Sequence, residues 1–290
     1  MQGWIFSEGG DSLLGRYYNY RLHPFSLAEL NMSKHSKLGF SDKQFVLSFD
    51  KKGKYLDELF IFGGFPEPFL SGDLKNHNRW LNERFERIFR EDIRDLENIR
   101  SFSKIELLGH LVINRVGFPL SFASLVSDVE VSIPTIKTWI ELLCRNYYLF
   151  KVPPYHKRLE RAVKKEAKYY LWDWSEIKDD GIRFENMIVS HLLKFSHLYH
   201  DTFGLNINLY YLRDREKREV DFLITWDNKP WFIIETKLSK PDKINSLYYF
   251  SEKLAIKQRF IVTKSEKADY IDRSKYIRII PASRFLMALV

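Results

Sequence analysis

The chain has 290 residues, 45% of them hydrophobic and 16% aromatic, which excludes a disordered composition and leaves room for two or three domains. Its 46 Lys and Arg against 38 Asp and Glu give a net charge of +8, a balance that favours polyanionic partners without naming one. A single cysteine, Cys144, excludes an intramolecular disulfide; with no leader-like start and no run near the ~20 apolar residues of a membrane helix, the expected location is the reducing cytoplasm.

In chain order, residues 1–50 hold little that could bury itself alone. Pro24 stops any helix before it, and Ser26 can cap a short one after it. In residues 51–102, Tyr55 to Phe62 reads as a helix ending in a tight turn at Gly63-Gly64-Phe65-Pro66-Glu67. Trp80 to Ile99 follows as an amphipathic helix with Leu81, Phe85, Ile88, Phe89, Ile93 and Leu96 on one face and solvated charges on the other.

Residues 103–172 suggest a winged helix-turn-helix. Lys104 to Val116 forms one helix, stopped by Gly117 and Pro119, and Ser121 to Val126 a second. Ser132 caps a third, with Pro134 in its first turn and Ile136, Trp139, Ile140 and Leu143 facing inward. Cys144 falls in this apolar run and reads as core. Two strands follow, Tyr147 to Val152 and Tyr169 to Trp172, around a basic tip of Lys157, Arg158, Arg161, Lys164, Lys165 and Lys168. With Lys137 on the third helix, the tip (apart from Lys168) makes the candidate nucleic-acid-binding set; winged helices also mediate protein contacts, and that alternative stays open.

Residues 173–290 read as a helix (Ile182 to Phe195), three strands (Leu209 to Arg213, Val220 to Trp226, Trp231 to Leu238), a helix (Ile244 to Leu254), two strands (Arg259 to Thr263, Tyr276 to Ile280) and a terminal helix (Ala282 to Leu289). That order predicts a mixed α/β fold, with a mixed sheet flanked by helices.

Glu185, Asp221, Glu235 and Lys237 are the candidate chemical residues. Glu235 and Lys237 are two apart on one strand, so they share a face about 6 to 7 Å apart; Asp221 lies early in the preceding strand. Glu185 shares its helix face with Ile182, Ile188, Val189 and Leu192, and a carboxylate on a buried stripe needs a partner. Converging carboxylates suit a hard cation, Mg²⁺ or Mn²⁺, which lowers the pKa of bound water, while a lysine stabilises developing phosphorane charge. Acid-x-Lys alone has little specificity, since it recurs at Asp50, Asp73, Glu166, Glu176 and Asp227; a salt-bridged cluster of Glu235, Lys237 and Asp221 is the competing reading. His197 and His200 read as a surface pair rather than a zinc site, and no G-x-x-x-x-G-K-[ST] phosphate loop is present.

Further strings carry a resemblance. Gly9-Gly10-Asp11-Ser12-Leu13-Leu14-Gly15-Arg16-Tyr17, Arg21-Leu22-His23-Pro24-Phe25-Ser26 and Gly63-Gly64-Phe65-Pro66-Glu67 resemble a prokaryotic AAA-type ATPase family after its sensor strand and in its lid. Arg183-Phe184-Glu185-Asn186, Tyr211 to Ile224 and Ile234-Glu235-Thr236-Lys237 resemble that family's carboxy-terminal domain of unknown function, related to PD-(D/E)XK nucleases. The resemblance implies an AAA-core remnant over 1–50, a helical lid-like segment over 51–102, a winged helix over 103–172 and a restriction-endonuclease-like domain over 173–290. It implies Glu185, Asp221 and Glu235 as metal ligands, Lys237, Glu235 and Asp221 as catalytic residues, and DNA as partner. Without a phosphate loop or Walker B strand, this chain is not expected to bind or hydrolyse ATP alone; a gene fragment, a split gene with a separately encoded ATPase half, or a relic are the readings that follow.

Overall fold

The computed structural model describes residues 20–31, 49–92, 102–156, 166–239 and 244–289. It is a mixed α/β architecture in which helices lead into a two-stranded hairpin and then into a mixed six-stranded sheet. Helix α1 (Leu27–Leu30) starts at Ser26, whose hydroxyl accepts the Glu29 amide while the Glu29 carboxylate accepts the Ser26 amide. This reciprocal cap satisfies two amides that a helix start leaves open. The glycine-rich string from Gly9 to Tyr17, Arg16 included, lies outside the described residues.

Helices α2 (Leu56–Phe62), α3 (Pro66–Ser71) and α4 (Leu74–Glu86) follow. The Gly63 to Glu67 string is more than a turn: Gly63 adopts φ 76°, and Pro66 opens α3, its fixed φ suiting a first helical position. Helix α4 begins well before Trp80 because Asp73 accepts the Asn76 amide at 2.8 Å as a cap. It runs into a π-helical turn, Arg87–Asp92; the expected continuation from Ile93 to Ile99 lies outside the described residues. Its charged face is not simply solvated. Arg84 is buried, pairs with Glu176 and lies over the rings of Phe65 and Tyr148.

Three helices, α5 (Phe102–Ile113), α6 (Phe122–Val129) and α7 (Ile133–Arg145), precede the hairpin. Ser132 caps α7 by accepting the Thr135 amide. Strands β1 (Leu149–Val152) and β2 (Lys168–Leu171) then pair antiparallel. The exit of β1 is joined to the large sheet, since Tyr155 donates its amide to Tyr211 and Tyr211 donates its own to Pro153.

Helix α8 (Asp180–Phe203) is longer than the expected span, capped by Asp179 at its start and ended by Gly204 at φ 67°. The sheet comprises β3 (Ile207–Arg213), β4 (Glu219–Trp226), β5 (Lys229–Lys237), β6 (Gln258–Thr263), β7 (Tyr270–Asp272) and β8 (Ile277–Pro281), in the order β3-β4-β5-β6-β8-β7. Asp227 and Asn228, both at positive φ, form the tight β4–β5 turn. Helix α9 (Asn245–Lys253) lies between β5 and β6, which run parallel, as a crossover requires. Strand β7 is an addition to the sequence reading. Helix α10 (Ala282–Phe285) and a 3-10 turn, Leu286–Ala288, end the described chain.

The strands alternate between two cores, as a period of two demands. Phe222, Ile224, Phe232, Ile234, Phe260 and Val262 pack into one cluster with Phe195 of α8. Leu223, Ile233, Ile261 and Ile279 pack into the other with Leu247 and Phe250 of α9. No helix among the described residues is long and apolar enough to cross a membrane.

Candidate acidic site between the hairpin and the sheet

Strand β5 is apolar and buried through Phe232, Ile233 and Ile234, then turns polar at its end. Glu235 and Lys237 share a face there, and their Oε1 and Nζ atoms lie 2.9 Å apart. Thr236, between them, points its hydroxyl and amide at β4: the Asp221 Oδ2 accepts both, each at 2.7 Å. The β4–β5 pairing thus brings Asp221 to the end of β5, although the two positions lie across a turn in sequence.

Helix α8 supplies Glu185 in its second turn. Its Oε1 accepts the Tyr170 hydroxyl at 2.7 Å and lies 3.5 Å from the Lys168 Nζ. Lys168 also lies 2.6 Å from Glu219, whose other oxygen is 3.2 Å from Arg213. Lys168 is only 1% exposed. It therefore does not stand at an exposed basic tip, as its place in the sequence suggested. As the first residue of β2, bridged to Pro119, it is turned inward against the acids and the Tyr211 ring.

The electrostatics tie these groups into one cluster. Burial pushes the Glu185 carboxyl up to about 7, opposed by Lys168 and the Tyr170 hydroxyl and reinforced by Asp221 and Glu219. Burial likewise pushes Glu235 up to about 7, reinforced by Asp221 and Glu185 and opposed by Lys237. Burial works against the Lys237 ammonium, but Glu235, Asp221 and Glu185 outweigh it and raise its pKa. The same balance, with Glu185, Asp221 and Glu219 outweighing burial, raises Lys168. Each shift has the sign expected of buried like charges held together with too few counter-charges. One oxygen makes the deficit concrete: Glu235 Oε2 is buried and has no hydrogen-bond partner.

Glu185, Asp221, Glu235 and Lys237 are thus brought to one place. Among the described residues, however, no group of three or more His, Cys, Asp or Glu side chains is gathered closely enough to hold a metal ion. Lys168, Tyr170, Glu219 and Thr236 belong to the site and were not singled out from the sequence. Lys168 had no local signal, because its burial comes from contacts with Glu185 of α8 and the Tyr211 ring of β3. Of the candidate nucleic-acid-binding residues, Lys137 is exposed on α7; Lys157, Arg158, Arg161, Lys164 and Lys165 lie outside the described residues. His197 and His200 are not a simple surface pair. Both sit on α8, and His197 Nδ1 is 2.9 Å from Nε2 of His23, which packs against Trp172.

Residues 180–285 are similar to a domain of unknown function, DUF4143. Residues 53–175 are similar to another, DUF8612, so the junction between the two matches falls between the hairpin and α8, where the acidic site is assembled from both sides. An uncharacterised protein of Methanocaldococcus jannaschii is 26% identical over 298 aligned positions covering 96% of this chain, and the chain spans 65% of that protein's length. No solved structure matches.

Proposed function

We propose that this chain carries a metal-dependent, nuclease-like site acting on DNA. The partnerless Glu235 Oε2 carries the reading, because it lies among carboxylates whose mutual repulsion a hard cation would relieve. Glu185, Asp221 and Glu235 do not stand close enough together to hold an ion as they are placed; drawn together, they would be the ligands of Mg²⁺ or Mn²⁺, and such an ion would supply a low-pKa water and polarise a phosphodiester. The chain's own residues do the rest. Thr236 fixes the Asp221 carboxylate, Tyr170 fixes Glu185, and Glu235 holds the partly exposed Lys237 ammonium where it can meet a phosphate oxygen.

The element order supports the finer assignments. Helix α8, strands β3–β5, helix α9 and strand β6 follow the order of a restriction-endonuclease-like core, and α5–α7 with the β1–β2 hairpin follow that of a winged helix. The resemblance to AAA-type ATPases adds an ATPase domain as the partner with which such a site would act. Supercoiled plasmid incubated with Mg²⁺ or Mn²⁺ tests the catalytic reading. Wild type should nick it, and Lys237→Ala should lose on the order of 100-fold in rate; equal behaviour removes the reading.

A second reading is favoured by Lys168, whose ammonium already lies between Glu185 and Glu219. On it the acids are a salt-bridged structural cluster, and the chain is a noncatalytic module in which Lys137 and the tip lysines bind DNA or a protein. DNA binding would then weaken with salt and need no divalent ion. A mobility shift unaffected by Lys164→Glu and Lys165→Glu counts against it.

A further inference from the structure

The turn between β7 and β8 holds an aromatic ring out in solvent. Asp272 Oδ1 accepts both the amide and the hydroxyl of Ser274, and Arg259 donates to the Lys275 carbonyl at 2.9 Å, so the turn is fixed from two sides. Tyr276 then adopts φ 51° and is 76% exposed. Left-handed backbone is disfavoured for a bulky residue, and no burial of the ring offsets it here; strain kept in this way marks a position worth explaining by function. The turn is also joined to α9. Asn245, Tyr248 and Glu252 share the helix face turned away from the core, while Leu247 and Phe250 point into it. Lys275 donates to Asn245, and Lys275 and Arg259 each lie 5.7 Å from the centre of the Tyr248 ring, which is 38% exposed.

Cations outnumber acids on this surface. In the turn, Arg273 and Lys275 accompany Asp272, whose carboxylate is engaged by Ser274. From the end of α9 into β6, Lys253, Lys257 and Arg259 accompany Glu252, which pairs with Arg259. Asp269, the acid just before β7, is held by Arg278 and Arg284. We propose that this surface is a platform for single-stranded nucleic acid, on which Tyr276 and Tyr248 stack against bases while Arg273, Lys275 and Lys257 meet phosphates. Exposed rings set among cations suit unpaired bases, whose faces are open; a duplex keeps those faces stacked on one another. The phosphates supply the complementary charge. The proposal does not rest on the metal reading: α9 packs on the face of the sheet away from α8, and no acid of the candidate site takes part.

The test is fluorescence anisotropy of the full chain with EDTA present, against labelled oligothymidylate, oligouridylate and a DNA duplex of equal length. At least one single strand should bind more tightly than the duplex, and the two single-stranded arms distinguish DNA from RNA. Tyr276→Ala should weaken binding of the preferred strand about tenfold, as the loss of one stacked base does, and Tyr276→Phe, which keeps the ring, should bind as wild type does. Lys275→Gln should make binding less sensitive to salt. A folded Tyr276→Ala chain that binds as wild type does overturns the proposal, and so does a preference for duplex. No binding of any of the three overturns it as well and leaves the surface to a protein partner. Should Tyr276→Ala not fold, Lys275→Gln decides: an unchanged salt dependence overturns the platform.

Discussion

Asp221 Oδ2 accepts hydrogen bonds from both the amide and the hydroxyl of Thr236, each 2.7 Å long. A side chain of β4 is thereby locked to the backbone of β5 at the point where Glu235 and Lys237 diverge from the apolar run. Hydrogen bonds to a charged acceptor contribute about 1.5–3 kcal/mol. Thr236→Val, which keeps the shape and deletes the hydroxyl, is expected to lower unfolding stability by about that amount, and Thr236→Ser to recover most of it. Urea denaturation of the two variants checks this; equal stabilities would place the anchoring in the amide alone.

Gly117 crowds the same site from the other side. It adopts φ 79°, and a Cβ there would stand 3.3 Å from Glu185 Oε1. Gly117→Ala combines left-handed backbone with pressure on a carboxylate, so a loss of about 1–2 kcal/mol is expected. If the metal reading holds, Mn²⁺ binding should weaken as Glu185 is displaced. Thermal melts and ion titration separate the two effects.

Glu185 and Glu235 are held near 7 against an ordinary 4.5. Between those values the folded chain binds more protons than the unfolded one. The two groups therefore contribute stability that is complete below about 4.5 and lost as pH rises through about 7. Glu235→Gln removes one of them. The stability of this variant relative to wild type should rise from pH 4.5 to 7, measured by urea melts in the absence of divalent ions. A pH-independent difference would mean that Glu235 is not strained.

The His23–His197 contact has the opposite sign. Burial, together with the His197 charge, pushes His23 down to about 3, and burial with Arg21 pushes His197 down to about 4. The folded chain keeps both neutral while the unfolded chain protonates near 6.5. Their contribution is present above about 6.5 and lost as pH falls toward 4. Replacing both with Gln should flatten the acid side of the stability profile. An unchanged acid side would contradict the assignment.

Much of this was legible in the residues. Caps at Ser26 and Ser132 work through local hydrogen bonds, and β4 and β5 are apolar runs split by the turn residues Asp227 to Pro230, so both show in a short window. The Glu235–Lys237 pair follows from strand period alone. The extension of α4 back to Leu74 rested on a single capping Asp73, and β7 is a three-residue, half-exposed edge strand with no apolar alternation to announce it. Lys168 was misplaced for a different reason. Its burial depends on β2 packing against α8 and β3, which no local pattern encodes, and in sequence it stands beside a run of exposed-looking lysines. The His23–His197 contact likewise joins residues far apart in the chain.

The most direct measurement is anomalous diffraction from crystals of the full chain grown with millimolar Mn²⁺. A peak about 2.1 Å from Glu235 Oε2, shared with Asp221 or Glu185, is the expected result. Millimolar Mn²⁺ with no peak at these three carboxylates would contradict the metal site and leave the acids as a structural cluster around Lys168.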